Sequence, residues 1–422
     1  MTTRLPSGEK RSLTHVGGPV ETRGDPDIAE ALASALDVAS SVEDEDAEEA
    51  ARAHVHGFHT YAARLHPETA RRLVATLAPP RGVVLDPFCG SGTVLVEARA
   101  LGRKAIGVDA NPLAVRLARL KTTPADASFR AALLEGAARV AAVAEERRLA
   151  RTGASRRYPP EDAAAFAPHV LLELDGLRMG LEAEREPSVR ATLFLVLSSI
   201  LVKLSRSSRP GPGAPLGADG RPVEKRIAAG YPSKLFVKKT EELTRRLAAI
   251  EPALASAPDT RVLEGDARTL DDVADASVDL VATSPPYPGV YDYALQHALR
   301  LRWLGLKGDR FDRAEIGSRR RARSAPGRAL DEYREDCARM LGAVSRVLRP
   351  GGLAVFVVAD GAIGDRAVRM DELLGALAGD AGLAREALAS QERPHFHDAT
   401  APAFRDRARR EHAVALAKPR HR

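Results

Sequence analysis

Two short segments carry residue types whose spacing could do chemistry. The first is Asp86-Pro87-Phe88-Cys89-Gly90-Ser91-Gly92-Thr93. Its glycines let the backbone turn sharply and come close to a ligand. A helix opening at Thr93 would present free N–H groups to the same place. Asp109 stands nineteen residues after Gly90. An acid at the end of the next strand can accept hydrogen bonds from two ribose hydroxyls, as in nucleotide-binding βαβ units. The run is neither a dinucleotide G-x-G-x-x-G nor a P-loop, because no Gly-Lys-Ser/Thr follows. Taken alone, it is equally a tight structural turn.

The second segment is Thr283-Ser284-Pro285-Pro286-Tyr287, directly after the apolar run Val278–Ala282. Two prolines stop a sheet ladder and hold the chain extended. Pro285 has no N–H but keeps its carbonyl, an acceptor aimed out of the strand's C-terminal end. Ser284 adds a hydroxyl and Tyr287 a flat aromatic face. Two acceptors and a stacking ring suit a planar ring that bears an exocyclic amino group. A rigid turn with a buried tyrosine is the alternative.

The elements around these segments must position them. Residues 82–86 form a short buried-type strand, 93–101 have helical character, 104–109 are a second strand ending in an acid, and Asn111-Pro112 opens another helix. This alternation is the signature of a parallel sheet. It stops at Lys121 and resumes near Arg261. About 140 residues of mainly helical pattern lie between, interrupted by the loop Arg209–Pro215. Later strands are expected at 261–263, 278–282, 353–358 and 412–416. The layout predicts one doubly wound α/β domain, mostly parallel with helices on both faces, split by a helical insertion. Residues 1–50, scattered with Gly and Pro and ending near the acidic run Glu43–Asp46, are expected to be a mobile tail. The remainder divides into a cofactor half at 51–120, the insertion at 121–260 and a catalytic half at 261–422.

Together, Asp-Pro-Phe-Cys-Gly-Ser-Gly-Thr and Thr-Ser-Pro-Pro-Tyr resemble the S-adenosylmethionine-dependent amino-methyltransferases of DNA, a Rossmann-like class I family. The piece from Phe58 to Pro67 looks like the family's cofactor motif before the first strand, although no proline follows Tyr61. The resemblance implies S-adenosylmethionine as cofactor, bordered by Tyr61, Asp86, Pro87, Phe88, Gly90, Gly92 and Thr93. It implies that Asp109 binds the ribose and Asp266 the adenine amino group. Ser284, Pro285, Pro286 and Tyr287 would hold the target base. A serine leading the second motif leans toward cytosine N4 over adenine N6. Bases of RNA are the alternative substrate, and a non-catalytic nucleic-acid-binding protein is a third reading.

Composition bounds the rest. The chain has 422 residues, 44% hydrophobic, enough for a packed core. Lys and Arg exceed Asp and Glu by 63 to 57, which permits a nucleic-acid partner without demanding one. From Arg302 to Arg328 there are nine basic and three acidic residues, and Arg319, Arg320, Arg321 and Arg323 are expected to contact phosphate. Two cysteines, Cys89 and Cys337, exclude a disulfide framework and a cysteine-based zinc site. No apolar leader is visible at the start, and residues 191–204 are too short to span a bilayer. A cytoplasmic protein without a membrane partner follows as the expectation. The histidines at 54, 56, 59 and 66 lack the acids or cysteines of a familiar metal spacing.

Overall fold

Strands β2 (Val83–Asp86), β3 (Lys104–Asp109) and β4 (Thr260–Glu264) lie side by side in parallel. On the other side of β2 come β5 (Val278–Thr283) and β6 (Leu348–Ala359), also parallel. The computed structural model describes residues 18–38, 54–61, 64–206, 226–393 and 398–420. Its main sheet has the order β1-β9-β10-β6-β5-β2-β3-β4. β10 (Arg410–Ala417) runs antiparallel between β6 and β9 (Ala384–Glu392), and β1 (Glu21–Gly24) caps the far edge. The strand order reverses between β2 and β5. In open α/β sheets that reversal opens a crevice at the strands' C-terminal ends, where ligands bind. A separate small hairpin pairs β7 (Gly361–Ile363) with β8 (Arg366–Val368).

Period-two alternation builds both faces. Val84, Leu280, Ala282, Val355 and Val357 face α1 (Pro26–Leu36), α2 (Pro67–Leu77) and α3 (Thr93–Ala100). Leu85, Val281, Ala354, Phe356 and Val358 face α13 (Pro326–Val347) and α14 (Met370–Ala378). Helices therefore cover both faces of a mostly parallel sheet, as the sequence pattern predicts.

Five described helices lie between β3 and β4 in the chain, after α4 (Pro112–Thr122): α5 (Ala127–Leu149), α6 (Pro160–Ala165), α7 (Pro168–Ala183), α8 (Pro187–Leu204) and α9 (Tyr231–Ala255). They share one apolar core with Leu113 and Leu117 on the outer side of α4 and with Leu301 and Trp303 of α10 (Tyr293–Trp303). The apolar run expected to be too short for a bilayer is part of a longer helix: α8 starts at Pro187 and is apolar enough to span one by length and composition, but 61% of it is buried here, with Leu193, Leu197 and Ile200 in that core. Two short helices, α11 (Asp309–Ala314) and α12 (Arg319–Ser324), follow α10.

One expectation is corrected. Residues 18–38 are not a tail. β1 pairs with β9, and α1 buries Leu32, Ala35 and Leu36 against the sheet and α2. Asp25 caps α1 by accepting from the Ile28 amide at 3.0 Å, with Pro26 at the first helical position. The acidic run Glu43–Asp46 and the loop Arg209–Pro215 lie outside the described residues.

Candidate active site

The C-terminal ends of β2, β3 and β5 bring the two motifs together. Thr283 closes β5 and donates its hydroxyl to Asp86 Oδ1 at the end of β2, at 2.6 Å. This bond crosses the strand-order reversal and joins residues 197 apart in sequence. After Asp86 the chain turns through Gly90 at φ +49° and Gly92 at φ +88°, then enters α3. Asp109 straps the turn from the side: its Oδ2 accepts from the Gly90 amide and its Oδ1 from the Asn111 amide, each at 2.8 Å.

A cleft of about 870 Å³ opens above these strand ends. Tyr61, Asp86, Pro87, Phe88, Gly90, Thr93, Asp109, Asp266, Ser284 and Pro286 all line it. Tyr61 stacks on His297 with ring centroids 4.7 Å apart, and its hydroxyl accepts from Asn111 Nδ2 at 3.1 Å. A Cβ on Gly90 would meet that tyrosine ring at 3.3 Å, so the glycine sets the shape of the cleft floor. Gly92 does not line the cleft. A Cβ there would meet the Ala118 Cα at 3.0 Å, so its work is to let α3 pack on α4.

Of the carboxylates that line this cleft, Asp86 and Glu315 are buried and Asp109 is half-buried. Burial raises the Asp86 carboxyl to about 7 against its bonds from Thr283 and the Phe88 amide. It raises Asp109 to about 6 against its two amide bonds. Glu315, just after α11, is also pushed up by burial. One of its oxygens accepts from the Ala294 amide at 3.3 Å, and the other is buried without a hydrogen-bond partner among the described residues. None of the three makes an ion pair among the described residues. Asp266 differs. Its carboxylate is clamped by Arg268 at 2.6 Å, and Arg268 also reaches Asp336 at 2.8 Å.

A second cavity adjoins the first and shares Ser284, Arg64, Leu65 and Tyr293 with it. Pro285, Tyr287 and Tyr291 complete the shared side. The Pro285 carbonyl takes no hydrogen bond from a described residue, whereas the Pro286 carbonyl accepts from Tyr333 Oη at 3.1 Å. One prolyl carbonyl is thus unengaged among the described residues and the next is tied to α13. The Tyr287 hydroxyl lies 3.5 Å from Ser284 Oγ and 3.4 Å from Glu411 Oε1 on β10. Glu411 is held in turn by Arg393 Nε at 2.9 Å.

The four arginines of the basic run lie on and beside α12, outside both cavities. Arg320 pairs with Asp312 at 2.7 Å and Arg321 donates to the Asp312 carbonyl at 2.6 Å. Arg319 and the exposed Arg323 form no ion pair among the described residues. The helix is tied to the second cavity, since the Arg319 amide donates to the Tyr291 carbonyl at 3.0 Å.

The histidines go separate ways. His56 pairs with Glu97 at 2.8 Å, His59 meets Ser198 at 3.0 Å, and His66 caps α2 by accepting from the Glu68 amide at 3.1 Å. His395 and His397 lie outside the described residues. A group that the spacing does not reveal, Asp360, Asp371 and His412, brings three possible ligand atoms together. Its carboxylates are already neutralised by Arg369 at 2.8 Å and Arg407 at 3.2 Å, so it is an ion-pair network. Both cysteines are buried free thiols. Glu315, Arg393 and Glu411 carry no motif; they reach the site only through the fold. Tyr293 is different, because its place in Tyr291-Asp292-Tyr293 right after the second motif is a usable signal.

Comparison with known proteins bears on the cofactor half. The profile of a family described as DNA methylase matches residues 37–120. The type II methyltransferase M.MvaI of Kocuria varians is 40% identical over 76 residues, 17% of this chain and 17% of that protein. The type II methyltransferase M.MjaII of Methanocaldococcus jannaschii is 34% identical over 68 residues, 16% of this chain and 13% of that protein. The match therefore spans less than one fifth of either relative. Among solved structures, a SAM-dependent methyltransferase from Methanosarcina mazei overlaps 83% of this chain and 98% of its own, at 10% identity and a TM-score of 0.34. That overlap is too loose to bear on function. Over residues 37–120, which hold Tyr61, the glycine turn and Asp109, the chain carries the sequence pattern of the N6/N4 DNA methylase family.

Proposed function

We propose that the protein transfers a methyl group from S-adenosylmethionine to an exocyclic amino nitrogen of a DNA base, and that this base is cytosine, modified at N4. The observation that carries the reading is the shared wall. Ser284 borders both cavities, and the Thr283–Asp86 bond locks the motif behind one to the motif behind the other. A cleft for a nucleoside cofactor beside a pocket for a planar amine is what direct transfer between them requires.

The donor set fits this cofactor. Two buried carboxylates, Asp86 and Glu315, and the half-buried Asp109, all without cationic partners among the described residues, suit a ligand that carries a sulfonium and an ammonium, since an unpaired charge removed from water is costly. Asp109 keeps lone pairs for ribose hydroxyls beyond its two amide bonds. When bound, S-adenosylmethionine supplies an electrophilic methyl group on its sulfur. The chain's own residues then prepare the nitrogen. An exocyclic amine is a poor nucleophile because its lone pair is delocalised into the ring. Acceptance of its hydrogens by Ser284 Oγ and the Pro285 carbonyl would favour the pyramidal nitrogen of the transition state. Tyr287, Tyr291 and Tyr293 give the pocket aromatic walls for a base taken out of the stack. Ser284 at the head of the motif is what favours cytosine. Arg319 and Arg323 are the side chains proposed to meet phosphate.

The test is methyl transfer from labelled cofactor to unmodified double-stranded DNA and, in parallel, to unmodified tRNA, followed by nucleoside mass analysis. N4-methylcytosine from DNA is the expected product. N6-methyladenine would keep the enzyme class and discard the choice of base. Label found only in RNA would overturn DNA as the substrate.

A further inference from the structure

The second cavity is lined by an arginine that the chemistry above leaves unused. Arg393 follows β9 and lines that cavity together with Ser284, Pro285 and the tyrosines. Its side chain is 4% exposed. Nε donates to Glu411 Oε2 at 2.9 Å, and the other oxygen of Glu411 lies 3.4 Å from the Tyr287 hydroxyl. The guanidinium plane is therefore fixed relative to the base-holding motif. Its Nη1 is nonetheless buried without a hydrogen-bond partner among the described residues. A buried N–H left unmade is costly, and among the unpaired buried donors of the described residues this one belongs to a side chain that lines the cavity of the second motif.

Resting on the base-amine reading above, we infer that Arg393 is the specificity-determining residue that reads the ring edge next to the reacting amine. A guanidinium offers donors in a planar fork. Cytosine presents two acceptors in a row beside its amine, ring N3 and then O2. Adenine presents one acceptor, N1, followed by a C–H. A fork in this place finds two partners on cytosine and one on adenine. Glu411 offsets the arginine's charge and holds its orientation, and so acts as a positioning residue.

The full chain tests this with Arg393→Met, which removes the donors, and with Arg393→Lys, which keeps the charge and a single donor nitrogen without the planar fork. A double variant, Arg393→Met with Glu411→Gln, avoids stranding a buried carboxylate. Unmodified plasmid DNA is the substrate, and kcat/KM for N4-methylcytosine is read by nucleoside mass. Thermal melting and calorimetric titration with S-adenosylmethionine accompany each variant. We expect a loss of about 10- to 100-fold for Arg393→Met and for the double variant, the range of one bidentate base contact. Lysine should recover part of it, and cofactor affinity should stay within about twofold. Wild-type rates of cytosine methylation in folded Arg393→Met would overturn the inference and leave the enzyme reading intact. A loss confined to cofactor affinity would overturn it too. A wild-type product of N6-methyladenine would overturn the inference and the choice of cytosine together.

Discussion

Ser284 is the residue on which transfer should depend most sharply. It stands in both cavities, and among the described residues only Tyr287, at 3.5 Å, approaches its hydroxyl. Ser284→Ala should lower kcat by about 10²- to 10³-fold, the scale of one missing transition-state hydrogen bond, with cofactor affinity unchanged. A variant that turned over normally would remove Ser284 from the chemistry. Asp109 should behave oppositely. Asp109→Ala removes the acceptor for ribose and the strap on Gly90, so cofactor affinity should fall by about 10- to 100-fold by calorimetry. Residue identity is the most legible layer of the sequence. The glycine turn, Asp109 and the Ser284–Tyr287 run stand out in the sequence because glycines and paired prolines impose local backbone rules, and the fold brings them to one cleft and its neighbour. Glu315 is not readable, because a lone glutamate in a basic stretch looks like any solvated acid. Only the fold buries it in the cleft wall, where one oxygen finds no partner among the described residues.

At the scale of elements, strands buried on both faces announce themselves and edge strands do not. β2, β3 and β5 are short, mainly apolar runs at the centre of a parallel sheet, and that composition marks them despite Lys104 and Asp279. β9 begins Ala384-Arg385-Glu386-Ala387-Leu388, residues that favour helix in isolation. Pairing with β10 on one side and β1 on the other overrides that preference. β1 is four exposed residues, Glu21–Gly24, held by main-chain bonds that no side-chain pattern encodes. The turn into α3 carries a prediction of its own. Gly92→Ala places a Cβ at 3.0 Å from Ala118 and forces φ +88° on an L-residue. It should destabilise the protein by roughly 1–3 kcal/mol in a denaturant titration, with the cleft's side chains untouched. The short helix α12 carries another. Replacing Arg319 and Arg323 with alanine should lower DNA affinity for all sequences alike. The salt dependence of log K should shrink by about one for each phosphate that the variant no longer neutralises. An unchanged salt slope would mean that DNA passes elsewhere, with the insertion as the next surface to probe.

Across the whole molecule, the site is a product of long-range closure. Thr283 meets Asp86, Tyr287 meets Glu411, and Asn111 meets Tyr61 only because the sheet order folds distant segments onto one edge. That closure collects Asp86 and Asp109 in one cleft, and the collection should be visible as a global property. Both carboxyls lie above their ordinary value, at about 7 and about 6, because burial disfavours their charged forms. Between pH 4 and 7 the folded protein therefore holds protons that the unfolded chain has released. Stability contributed by these two groups must fall as pH rises through that window. A cationic ligand reverses the preference, because it favours both carboxylates ionised. Cofactor affinity should accordingly rise from pH 5.5 to 7.5, and binding near pH 6.5 should release protons to the buffer. Calorimetry in two buffers of different ionisation enthalpy reads this directly: the apparent enthalpies should differ at pH 6.5, below the range in which the cofactor's own amino group titrates. Asp86→Asn combined with Asp109→Asn should shrink the difference at pH 6.5, leaving only the share of Glu315, and should flatten the ligand-free melting profile between pH 4 and 7 by the part these two groups supply. If the double variant released as many protons as the wild type, the carboxylates would have to be charged already in the free protein, and the fit of this cleft to a cationic cofactor would lose its electrostatic basis.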